Sequence, residues 1–180
     1  MGKGLAKMLA MRDAAKFALE VASDATRWQS IVINKRRPHT YRAFLNRGES
    51  RICLHRFEPC KPADSFAHPH PWLSSMLVLA GEYDMVVGRT SDLVSADPAD
   101  VIQLTLSSGS IYSMEDRHTW HQVIPKTRCY SLMVNGPRWE NAHRRAPTTS
   151  GKGLESMSER ALLEHLEICA KLLTAWLTQS

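Results

Sequence analysis

What this 180-residue chain lacks narrows it first. Its four cysteines, Cys53, Cys60, Cys129 and Cys169, form no C-x-x-C pair and no zinc-ribbon spacing. Four are too few for a disulfide scaffold, so free thiols in a reducing compartment are expected. No apolar run approaches the ~18 residues that a membrane span needs. The opening stretch is broken by Arg12, Asp13 and Lys16 and has no small-residue cleavage site, which argues against a secretory leader. Ala6 stands where a myristoylation signal needs Ser or Thr. The expectation is a cytoplasmic protein with no membrane partner. Long basic blocks are also missing. The formal charge is 23 − 18 = +5, Arg36-Arg37 and Arg144-Arg145 are short pairs, and no aromatic-basic interleaving suggests a nucleic-acid platform. There is no internal repeat.

What is present is ordinary for one soluble domain with a real core, at 43% hydrophobic and 23% charged residues. Residues 5 to 23 are rich in Ala, Leu, Met and Lys, with an apolar face at near-helical spacing, and predict an N-terminal helix. Short extended runs then alternate with turn signals. They include Trp28–Ile33, Tyr41–Leu45, Ser50–Phe57, Phe66–Ala80, Glu82–Val87, Val101–Leu106, Ile111–Met114, His118–Ile124 and Arg128–Val134. Turns every ~8–12 residues are the pattern of an all-β sandwich or barrel. Residues 141–152 read as a polar linker with Pro147 and Gly151. A second helix follows, with Leu162, Leu166, Cys169, Leu173 and Trp176 in one apolar stripe. Ser156 and Glu159 fit a capping box at its start. The stripe is expected to pack on the barrel, with a helix–helix dimer seam as the alternative. The organisation is thus an N-terminal helix in 1–30, a barrel in 31–140, the linker, and a C-terminal helix in 153–180, all one domain.

The chain's chemistry centres on Phe66-Ala-His68-Pro-His70-Pro-Trp72-Leu-Ser74-Ser-Met76-Leu-Val78-Leu-Ala-Gly81. Alternate side chains of a strand share a face, so His68 and His70 point the same way. The run after them is apolar on both faces, as in a strand buried from both sides. Two imidazoles converging inside a barrel make half a metal site. A second cluster runs from Gly109 to Gln122, where a glycine turn and a polar turn lead to a histidine-bearing strand. There His118, Trp120 and Gln122 share one face, and His121 shares the other with Thr119 and Val123. His118 is the favoured third ligand because it opens its strand as His68 and His70 open theirs. His121 is the alternative. His165, on the second helix, is expected to be exposed, and His39 and His143 fall in polar loops. His55 is a candidate to support a ligand from behind.

These motifs resemble those of the cupin superfamily. His68, His70 and Gly81 fall on the spacing of the first cupin motif, and Ser74 stands where its glutamate is expected. In the second, Gly109 and His118 fit, Glu115-Asp116-Arg117 replaces the usual turn, and Gln122 takes the asparagine position. The phrases Leu54-His-Arg-Phe57, His68-Pro-His-Pro-Trp72 and Asn135-Gly-Pro-Arg138 are similar to those of a subgroup of bacterial cupins. The resemblance covers roughly 50–138 and implies a double-stranded β-helix with the two helices flanking it. It implies a divalent transition metal at three histidines: iron for an oxygenase, or Zn, Mn, Ni or Cu. Some cupins, such as the cysteine dioxygenases, hold iron with three histidines and no glutamate. The implied function is an enzyme acting on a small molecule, with dioxygenase chemistry open to it. The alternative is a non-catalytic ligand-binding or regulatory module. In the enzyme reading Ser74 meets a metal-bound water, Met76, Val78 and Trp120 wall the pocket with Gln122, and Arg56 clamps a substrate carboxylate. A homodimer is expected, because such barrels often pair and open strand edges invite it.

Overall fold

The computed structural model describes residues 3–33, 39–90, 99–139 and 154–179. The expected linker 141–152, the pairs Arg36-Arg37 and Arg144-Arg145, and His143 lie outside the described residues. In chain order the elements are α1 (Lys3–Glu20), β1 (Gln29–Val32), β2 (Thr40–Arg47), β3 (Ser50–Phe57), β4 (His68–Pro69), β5 (Trp72–Ala80), β6 (Glu82–Arg89), β7 (Ala99–Ser107), β8 (Ile111–Met114), β9 (Thr119–Pro125), β10 (Cys129–Arg138) and α2 (Glu159–Gln179). Among the described residues no helix is long and apolar enough to cross a membrane.

The strands form two antiparallel sheets. One runs β1-β2-β3-β10-β5-β8 and the other β4-β9-β6-β7. The pairs β3–β10, β4–β9, β5–β8 and β6–β7 nest inside one another, first strand with last and second with second-last. That nesting winds an antiparallel ribbon into a double-stranded β-helix, the jelly-roll architecture used by cupins. Strands β1 and β2 widen the first sheet.

Burial on both faces of the first sheet explains why β5 reads as apolar on both sides. Its outer face carries Ala43, Leu45, Ile52, Leu54, Leu77, Leu79, Tyr130 and Leu132, packed with Met11, Ala15 and Ala18 of α1 and Leu162, Leu166, Cys169 and Leu173 of α2. The stripe on α2 therefore faces the barrel, not a second helix of a dimer. Its inner face carries Cys53, Met76 and Met133, which join Met114 in a second cluster. Gly81 turns the chain between β5 and β6 at φ 86°, and a Cβ there would lie 2.6 Å from the Arg128 carbonyl oxygen. Neither the conformation nor the space admits another residue.

Two local expectations are corrected. The N-cap of α2 is Ser158, whose Oγ accepts from Ala161 N at 3.3 Å, and not Ser156. Met157 is buried and its N–H is tied to Ser30 Oγ at 3.1 Å, which holds the chain extended until the helix can start. His165 is fully buried rather than exposed, and donates from Nε2 to the Leu54 carbonyl oxygen at 3.1 Å.

Candidate metal centre

Three elements bring the histidines together. β4 is only two residues long, ending at Pro69 with Pro71 just beyond, and it pairs with β9 so that His68 lies opposite His121. His70 follows in the bend before β5. The inward face of β9 carries His121, Val123 and Pro125, and all three line one cavity with His68 and His70. His70 Nε2 lies 3.0 Å from His121 Nε2, and His121 Nε2 lies 3.1 Å from His68 Nε2. All three ligand-capable nitrogens fall within 4.8 Å of one another, so the group could hold a metal ion.

The backs of two rings are already fixed. His68 Nδ1 faces the Phe66 carbonyl oxygen at 3.3 Å, which can only accept, so that nitrogen carries the proton. His70 Nδ1 faces Ser74 Oγ at 2.8 Å, and Ser74 Oγ donates to Asn135 Oδ1 at 2.9 Å. With the serine proton committed to Asn135, His70 Nδ1 donates and its Nε2 lone pair turns inward. His121 Nδ1 is buried without a partner. Burial pushes the His68 pKa down to about 4, against the pull of the Phe66 carbonyl. Burial, with the neighbouring imidazoles, holds His70 and His121 well below the ordinary value. All three are neutral at pH 7, the form that ligates.

The donor set passes a simple fit. Nitrogens about 2.1 Å from a cation and about 90° apart sit about 3.0 Å from each other, which is the spacing around His121. Three neutral imidazoles suit Fe(II), Zn or Cu, and among the described residues no carboxylate joins the group.

His118 stands apart from this cluster. It lies in the turn before β9, where its backbone N–H is held by Asp116 Oδ1 at 2.8 Å and its Nε2 accepts from Arg117 Nε at 3.3 Å. Trp120 and Gln122 point away from the cavity. The Trp120 indole donates to Thr90 Oγ1 at 3.0 Å, and the Gln122 amide donates to the Pro62 and Ser65 carbonyl oxygens at 2.9 and 3.1 Å. Met76 lines the cavity, Ser74 supports it from behind, and Val78 packs with Tyr83, Met85 and Cys129 instead. Arg56 is no part of the wall. Its guanidinium lies over the Tyr41 ring at 3.9 Å and pairs with Glu58 at 3.1 Å.

The cavity itself is about 440 Å³. Its wall includes Arg42 and Tyr112, which the sequence did not single out, beside His55, which it did. Arg42 and His55 lie on its wall, joined by an Arg42 Nε to His55 Nε2 bond of 2.7 Å. Tyr112 accepts from the Tyr83 hydroxyl at 3.1 Å, and burial pushes the Tyr112 pKa up to about 12. Asn135 was legible only as the end of a strand. The usable signal for Arg42 was parity: it sits between Tyr41 and Ala43 on a strand whose alternate positions turn inward.

Fold and site together define a cupin-like jelly roll with three converging imidazoles in its interior. Comparison with solved structures finds the Fe(II) form of HppE at TM-score 0.47 and 17% identity, over 58% of this chain and 54% of that one. Hydroxypropylphosphonic acid epoxidase from S. wedmorenis matches at TM-score 0.47 and 17% identity, over 59% and 55%. The Co(II) form of HppE in complex with substrate matches at 0.44 and 19%, over 58% and 56%. The chain thus spans about half the length of each. No family model and no curated protein matches it. The strand order, not these likenesses, defines the fold.

Proposed function

We propose that the chain is a metal-dependent enzyme acting on a small molecule, with His68, His70 and His121 as the metal ligands. The observation that carries this reading is the convergence of three neutral imidazoles in one cavity. A divalent transition metal bound there supplies a Lewis-acid or redox centre with positions open to substrate. The chain's own residues do the rest. Phe66 and Ser74 orient two of the rings, apolar side chains such as Met76, Met133 and Val123 keep bulk water out, and Tyr112 presents its hydroxyl to the interior. With Fe(II), the reaction class is oxygenase chemistry, including dioxygenation.

The second reading, a ligand-binding barrel without catalysis, is favoured by one feature: Ser74 stands where a carboxylate would complete the ligand set. Metal content separates the two readings. Elemental analysis of untagged protein is expected to find about one transition metal per chain in the wild type and in His118→Ala. The metal is expected to be lost in His121→Ala. Iron-loaded protein is then expected to consume O2 with a small-molecule substrate. Protein that takes up no metal on reconstitution, or a His121→Ala variant that keeps it, sinks the proposal.

A further inference from the structure

We propose that Arg42, held by His55 on the wall of the same cavity, is the anchor for a carboxylate, so that the cavity takes a small organic acid. This rests on the reading of the cavity as the substrate site, though not on the identity of the metal.

The charge on Arg42 is unbalanced. Arg42 is half-buried on the inner face of β2, opposite His55 on β3. Buried cations are ordinarily paired with an anion. Arg56, which is also partly buried, pairs with Glu58 at 3.1 Å. Arg42 has no acidic partner among the described residues. Among the described residues its one polar side-chain contact is the bond from Nε to the His55 imidazole, which is neutral. Of the two acids on the cavity wall, Glu58 is already paired and Asp64 forms no ion pair with Arg42.

The geometry orients that charge. Because His55 Nε2 accepts from Arg42, its proton sits on Nδ1, which faces Ser131 Oγ at 3.4 Å. The ring is stacked on Phe57 at 5.4 Å. His55 is thus fixed from behind and holds Nε, leaving both terminal nitrogens of the guanidinium free to grip a planar oxyanion side by side. The guanidinium charge also bears on His68 and His70, so the anion site and the imidazole cluster lie within electrostatic reach of each other. An acid bound head-first at Arg42 would run its apolar body along Met76, Met133 and Val123 towards the histidines. Arg138, also on the wall, is exposed at the rim and suits entry more than anchoring.

The test uses isobutyrate, its neutral isostere isobutyramide, and inorganic phosphate as probes. Affinities are read by ligand-observed NMR on metal-free and on zinc-loaded protein. Isobutyrate is expected to bind the wild type at least about tenfold more tightly than the amide, the ratio of one lost charge-assisted pair. That preference is expected to vanish in Arg42→Met and to survive in part in Arg42→Lys, with zinc stoichiometry unchanged in both. An acid-to-amide ratio near one, or no acid bound, overturns the anchor, and this reading needs no variant to fold. Phosphate bound more tightly than isobutyrate overturns the carboxylate assignment. A preserved ratio on protein that takes up no metal upholds the anchor and removes the metal reading. Metal uptake with a ratio of one does the reverse.

Discussion

Ser74 lies four residues past His70, and its hydroxyl does what the missing carboxylate would not. The cupin motif that the sequence resembles expects a glutamate at this position. The hydroxyl instead accepts from His70 Nδ1 and passes its own proton to Asn135. Partners of this kind fix the tautomer and angle of a ligating ring, and losing one typically costs ~10–100-fold in metal affinity. Ser74→Ala is therefore expected to weaken metal binding by that order in a chelator-competition titration while leaving the fold intact. Unchanged affinity would mean that the ring needs no support. The third ligand shows how far residue-level reading reaches. Parity allowed only one of His118 and His121 into a common pocket without a bulge, and the strand-opening position favoured His118. Parity itself did not say which, because Trp120 and His121 are both buried, on opposite faces of β9. The choice was made by the turn at Asp116, which holds His118 outside the strand, and by the pairing of His68 with His121. The second is not visible without the partner strand.

At the scale of the element, α2 shows both legibility and its limit. Its four-and-three stripe announced the buried face at Leu162, Leu166, Cys169 and Leu173. His165 sits on that same face, and as a polar residue it was assigned to solvent. It is buried because the Leu54 carbonyl oxygen gives its Nε2–H a partner. Burial lowers its pKa to about 4. Above about pH 6.5 the imidazole is neutral in both the folded and the unfolded chain, so it adds no pH dependence there. Below that, the unfolded chain takes up a proton that the folded one refuses until about pH 4, and stability falls across this window. The shift corresponds to about 3 kcal/mol at most. His165→Gln keeps a donor for Leu54 and removes the titration. In urea denaturation the variant is expected to be less stable than wild type at pH 7.5 and to close the gap, or reverse it, as the pH falls to 4. A gap independent of pH would show that His165 does not titrate on unfolding.

At the scale of the molecule, the spacing of turns announced a barrel, because short strands broken by Gly, Pro and Asn are a local property. The nested pairing of β3 with β10 and β4 with β9 is not local, and only the spacing of the histidine motif hinted at it. That nesting has a thermodynamic consequence. His68 and His121 belong to paired strands of one sheet, while His70 lies in the bend leading into β5 of the other. A cation bound by all three would tie the two sheets together across chain positions far apart in sequence, and the unfolded chain has no such site. A ligand at a free concentration of 100 times its Kd then stabilises the fold by about 2.7 kcal/mol. For a chain of this length that is a rise in Tm of about 5–10 °C. Adding zinc to metal-free protein is expected to produce such a shift in calorimetry, saturating at one equivalent, and His121→Ala is expected to abolish it. His118→Ala should shift like the wild type, since His118 sits outside the cluster. An equal shift in His121→Ala would place the cation elsewhere on the surface and leave the barrel interior to the organic ligand alone.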